Sequence, residues 1–243
     1  MHNNFLFDLD QTLLDFHASE KKALEIIVTK LGFRFSDDVY FHFKEYNKSL
    51  WLKLEKGTIS RTELFTMRFG DLISYCKGDP SGFNLLEIND EFIYTMSVNG
   101  VLMEGALEFA KRIKDEINDS RIYIVSNGAV VNATGRIRST GLDKYIDGIY
   151  ISEALGVNKP STEFFDICLK DIGEPKETCI VIGDSLTSDM LGAQNASMAS
   201  VWFMPQGDIG KAMITYGIDY CASSFDELFV ILRDWASQNH NKI

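Results

Sequence analysis

The sequence has no cysteine pair at zinc-ligand spacing. Its four cysteines, at 76, 168, 179 and 221, are too scattered for a zinc knuckle and too few for a disulfide framework. Its four histidines (His2, His17, His42, His240) fall in no ligand spacing either, so these residues read as structural or surface. No apolar stretch reaches the roughly 18 residues that a membrane span needs, and the N-terminal residues are expected to form a strand rather than a signal peptide. Basic residues are in deficit: 24 Lys and Arg against 35 Asp and Glu leave a net charge of −11, which argues against binding a nucleic-acid backbone. Neither a nucleic acid polymer nor a membrane is an expected partner, and a reducing cytoplasm is the expected location. What remains is a globular composition, 45% hydrophobic and 24% charged over 243 residues, enough for one large or two small domains.

Short apolar runs at 4–8, 121–126, 148–152, 178–182, 199–203 and near 219–222 read as strands. From Gly105 onward they alternate with helical periods at about 105–117, 129–139, 162–172, 188–196 and 225–237. That alternation predicts a parallel sheet with helices on both faces. Ser224, with Glu227 three residues on, caps the last helix. Residues 16–97 differ: they carry helical periods near 17–31, 37–55, 61–77 and 86–97 and no convincing strand. There "ISRTEL" predicts a capping box of Ser60 with Glu63, stapled by Ile59 and Leu64. The expectation is an α/β core from 1–15 and 98–243, interrupted by an all-helical domain at 16–97.

The first strand ends in "FDLDQT", with two carboxylates one residue apart. If the strand continued, Asp8 and Asp10 would point to the same face and repel. An acidic turn in water and a metal site both fit that stretch alone. In open α/β sheets, ligands lie at the carboxyl ends of the strands. Those ends supply Asp8 and Asp10 with Thr12 just beyond, Ser126 and Asn127 in "VSNG", Lys159 in "NKP", and Asp184 followed by Asp189 in "GDSLTSD". Acids, hydroxyls and a lysine gathered there would suit Mg²⁺-assisted phosphoryl transfer. Asp8 and Asp184 are candidate Mg²⁺ ligands, and Ser126 and Lys159 candidate phosphate holders.

The four motifs "DLDQT", "SNG", "KP" and "GDSLTSD", in this order, resemble those of the haloacid dehalogenase-like hydrolases over nearly the whole core. The resemblance implies a Rossmann-like, three-layer α/β core with an inserted C1-type helical cap. It implies that Asp8 is the nucleophile, forming an aspartyl phosphate, and that Asp10 is the general acid and base whose main-chain carbonyl joins Asp8 and Asp184 on Mg²⁺. It further implies that Leu9, Thr12, Ser126, Asn127 and Lys159 bind phosphate, and that Asp189 orients metal-bound water or the lysine. Mg²⁺ and Lys159 would favour the ionised form of Asp10. Gln11 and Ser197 stand where relatives often carry glycine.

Asp10 argues against a dehalogenase. The cap lysines Lys44, Lys48, Lys53 and Lys56, which a phosphonatase would draw on for a Schiff base, read as a solvated helix face. The pattern is most similar to pyrimidine 5'-nucleotidases, which implies a small phosphorylated metabolite, a nucleoside monophosphate, as substrate. The 14 of 29 aromatics between Phe16 and Tyr94 could stack a base, although a small helical domain also needs them for its core. Sugar phosphates, phosphoglycolate and a β-phosphoglucomutase-like transfer stay open, as does, outside enzymes, a phosphate-sensing module.

Overall fold

Phe5, Leu6 and Phe7 are buried on both faces, as the middle strand of a parallel sheet requires. They lie in β1 (Asn3–Phe7) of a computed structural model that describes residues 2–55, 57–204 and 207–240. The helices α1 (Phe16–Lys30), α2 (Asp37–Glu55), α3 (Arg61–Tyr75) and α4 (Leu85–Val98) follow, then α5 (Ala106–Glu116). Next come β2 (Ser120–Ser126), α6 (Val130–Ser139), β3 (Gly148–Ile151), the single turn α7 (Ser152–Leu155), α8 (Thr162–Ile172) and β4 (Cys179–Gly183). A π-helical turn at Leu186–Met190 leads into α9 (Leu191–Ala196), followed by β5 (Ala199–Phe203), α10 (Ile209–Tyr216), β6 (Tyr220–Ala222) and α11 (Phe225–His240).

Among the described residues the six strands form one parallel sheet, ordered β3-β2-β1-β4-β5-β6. Alternation along β1 separates two apolar layers. Phe5 and Phe7 join Phe109, Ile113, Phe229 and Leu232 on one face, while Leu6 joins Phe164, Phe165 and Cys168 on the other. This is a three-layer, Rossmann-like core. No described helix is long and apolar enough to cross a membrane. At the start of α11, Ser224 accepts from Glu227 N as expected, but the Glu227 carboxylate reaches back to Ser223 N rather than to the capping residue.

The chain divides into two compact units, Met1–Phe16 with Gly100–Ile243, and His17–Asn99. Within the first, the outgoing and returning segments pair: Asp15 N donates to Val101 O (2.9 Å) and Met103 N to Leu13 O (3.0 Å). The second unit consists of helices, and α3 begins with the expected box, Ser60 Oγ accepting from Glu63 N and Glu63 Oε2 from Ser60 N. Phe43, Phe69 and Phe92 meet at ring separations of 5.5–5.7 Å and make its core. Buried beside them, Arg68 donates to Asn89 and Asn47. Phe41, Trp51, Tyr75 and Tyr94 are exposed, as are Lys48 and Lys53; Lys44 is half-buried and Lys56 lies outside the described residues.

Both glycine replacements occupy left-handed backbone, with φ of 59° at Gln11 and 53° at Ser197. A side chain there costs about 1 kcal/mol. Ser197 ends α9 and is exposed. Ser197→Gly is therefore expected to raise the melting temperature by about 2–4 °C. A lower melting temperature would show that the serine makes a compensating contact.

Candidate active site

Asp8 follows β1 directly, and its N–H continues the register by donating to Ile182 O at 2.8 Å. The strand stops there. Leu9 O accepts from the N–H groups of both Leu13 and Leu14, closing a tight turn. The two carboxylates therefore do not share a strand face, contrary to the expectation for a continued strand. Each has its own cation: Lys159 Nζ lies 2.7 Å from Asp8 Oδ1, and Arg136 grips Asp10 at both oxygens, Nη1–Oδ1 2.5 Å and Nη2–Oδ2 3.1 Å. The cation beside Asp10 is thus Arg136 rather than the expected Lys159.

Lys159 has a 1% exposed side chain, and all three ammonium protons are engaged, by Asp8, by Asp189 Oδ1 (2.6 Å) and by Val125 O (2.6 Å). Burial alone would lower its pKa, but the adjacent Asp189 and Asp8 carboxylates overcome that and hold it above its ordinary value. Its backbone is fixed too. The Asn127 side chain donates Nδ2 to Lys159 O (2.9 Å) and accepts from Lys159 N (2.8 Å). Ser126, buried at the end of β2, accepts from Gly128 N at 3.2 Å. Thr12 is buried, and its Oγ1 has no hydrogen-bond partner among the described residues.

Asp189 is fully buried on the π-helical turn, accepting from Lys159 and from Ser185 N (3.1 Å). Its place depends on Gly183: a Cβ there would stand 2.2 Å from Asp189 Oδ2. Oxygens of Asp8, Asp184 and Asp189 all lie within 4.8 Å of one another, and the Asp10 carboxylate is not in that group. Burial raises Asp8 to about 8 against the pull of Lys159, with Asp189 and Asp10 adding to the rise. Burial, then Asp189, raises Asp184 to about 6. Three carboxylates thus face one ammonium, and a further cation would offset the surplus negative charge, most of all at Asp8. A hard divalent ion with oxygen preference fits this donor set.

Arg136 was not among the residues expected from the strand ends. It lies in α6, 2% exposed, and on the same helical face as the buried Ala133 and Ile137. An arginine at a core-facing phase of an amphipathic helix is the signal that would have found it.

A family model described as a haloacid dehalogenase-like hydrolase matches residues 2–197. The pyrimidine 5'-nucleotidase PynA of Streptococcus pneumoniae is 33% identical over 82% of this chain and 83% of its own length. The pyrimidine 5'-nucleotidase YjjG of Escherichia coli is 29% identical over 81% and 83%. The crystal structure of the HAD-hydrolase YfnB of Bacillus subtilis, bound to magnesium, superposes with a TM-score of 0.79 at 27% identity, covering 95% of this chain and 98% of that one.

Proposed function

This chain belongs to the haloacid dehalogenase-like hydrolases, and from that premise we propose that it is a Mg²⁺-dependent phosphomonoesterase acting on pyrimidine nucleoside 5'-monophosphates. The observation that carries the reaction is Asp8, ending the central strand on Lys159 and within the carboxylate cluster. For the substrate class, the support is the likeness to two pyrimidine 5'-nucleotidases.

In this reading a carboxylate oxygen of Asp8 attacks phosphorus. The ester P–O bond breaks with its electron pair on the leaving oxygen, which takes a proton from Asp10. Water then attacks the phosphorus of the aspartyl phosphate and gives a proton to the Asp10 carboxylate. The bond between phosphorus and Asp8 breaks, inorganic phosphate leaves, and both carboxyl groups end as they began. Lys159 contributes mainly charge, since its three protons are already shared. Ser126, Thr12 and the amides of Leu9 and Asn127 are the donors assigned to the phosphate oxygens, and the partnerless hydroxyl of Thr12 supports that use. Mg²⁺, held by the Asp8 and Asp184 carboxylates and the Asp10 carbonyl, would offset negative charge on the phosphoryl group. Asp189 would hold Lys159 in place.

Phosphate release from UMP, dUMP, dTMP, AMP, β-glucose 1-phosphate and phosphoglycolate, with Mg²⁺ or EDTA, tests both parts. The expected result is Mg²⁺-dependent release led by the pyrimidine nucleotides. A lead for a sugar phosphate or phosphoglycolate would keep the chemistry and overturn the substrate. Release unchanged by EDTA would overturn the metal dependence, and no release from any ester would overturn the hydrolase reading.

A further inference from the structure

We propose that Arg136 is a positioning residue for proton transfer: its two-point grip fixes the Asp10 carboxylate and so governs esters whose leaving group needs a proton. The inference rests on the reading of Asp10 as acid and base. Arg136 is 2% exposed, whereas the Asp10 side chain is 31% exposed. A half-exposed carboxylate on a turn is ordinarily free to change rotamer. Here both oxygens are held by a guanidinium that is itself buried. The Phe16 ring lies 5.5 Å from its centre, and the Arg136 carbonyl accepts from Thr140 Oγ1 (2.9 Å) and Ser139 Oγ (3.1 Å).

Burying a guanidinium costs several kcal/mol, and an apolar side chain would serve the packing of α6 as well or better. Arg136 Nε even lacks a hydrogen-bond partner among the described residues, so the site does not optimise the arginine for its own sake. What arginine supplies, and lysine cannot, is a planar fork matched to a carboxylate. That fork sets direction as well as distance, and a proton delivered to a leaving oxygen depends on direction.

The consequence is selective. In the first step, Asp8 bonds to phosphorus while the ester oxygen leaves with its electron pair. An alkoxide must collect the Asp10 proton as it departs, whereas p-nitrophenolate leaves stable without one. A purely structural role for Arg136 would affect both esters alike. The ratio kcat/KM isolates this step, because it reports events only up to departure of the first product.

The test compares kcat/KM for p-nitrophenyl phosphate and for the most active alkyl monoester of the panel. Arg136→Gln is expected to lose about 10²-fold on the alkyl ester and less than about tenfold on the aryl ester. Arg136→Lys, which keeps the charge and loses the fork, is expected to show the same split at smaller size. In an Asp10→Asn background, Arg136→Gln should add almost nothing to the alkyl-ester loss. Equal losses on the two esters, or losses that multiply in the double variant, would overturn the proposal while leaving Asp10 as acid and base. Full alkyl-ester activity in Asp10→Asn would instead overturn the acid–base reading itself. If Arg136→Gln does not fold, Arg136→Lys decides: no split in that variant overturns the proposal.

Discussion

Asp8→Asn is expected to abolish turnover, by about 10⁴-fold or more in kcat, and yet to melt higher than the parent chain in metal-free buffer at pH 8. The amide has the size of the carboxylate but cannot form the acyl phosphate. The stability gain follows from the surplus of negative charge at the site. Burial, with Asp189 and Asp10, raises the Asp8 carboxyl from 3.8 to about 8 in spite of Lys159. The folded protein therefore holds that proton more tightly than the unfolded chain does. Its contribution to stability is complete below pH 3.8 and is lost as the pH climbs through about 8. Asparagine carries no such penalty, so the advantage of the variant should grow between pH 5 and pH 8 and shrink when Mg²⁺ is added. A variant that melts lower than the parent at pH 8 would mean that the contact with Lys159 outweighs the repulsion.

Lys159→Met should be the most damaging single change to stability in the site, costing about 3–5 kcal/mol, or on the order of 10 °C in melting temperature. Methionine fills the volume but strands two buried carboxylates, Asp8 and the fully buried Asp189, whose shared cation is gone. Turnover should fall by about 10²–10³-fold, because charge aimed at the phosphoryl group is removed. Adding Asp189→Asn to Lys159→Met should recover at least half of the lost stability and none of the turnover. Thermal melting with phosphate release separates the two effects. A single variant as stable as the parent would show that the ammonium contributes no more than its burial costs.

The strands and most helices were legible because their signals are local. An apolar run such as Phe5–Phe7 is too brief for a helix of its own and reads as a buried strand, and α8 is marked by the spacing of Phe164, Phe165, Cys168 and Ile172. The residues at the strand ends followed from topology: once the sheet is parallel, its carboxyl edge gathers Asp8, Ser126, Lys159 and Asp184. What stayed hidden depends on contacts across the chain. Arg136 lies mid-helix, 126 residues from Asp10, and no spacing rule links them. The helix expected at 188–196 begins in fact with a π-helical turn at 186–190, whose longer hydrogen bonds leave no spacing signal in the sequence. Gln11 and Ser197 were noted as departures from glycine, but only the backbone reveals that both take the left-handed conformation anyway.

The order of strands in the sheet also bears on how the chain is made. Phe5 pairs with Ile122 on one side and Ile180 on the other, so β1 lies between partners that leave the ribosome long after it. At about 5–20 residues per second, β4 follows β1 by roughly 10 to 35 s. During that interval the unit His17–Asn99, contiguous in sequence, has all its own partners available and can collapse. The segment bearing Asp8 has none of its partners until β2 emerges, and its Phe-Leu-Phe face stays open to solvent. Of the six described strands, the one that leads to Asp8 therefore waits longest for its partners, and its apolar residues stay exposed for that time.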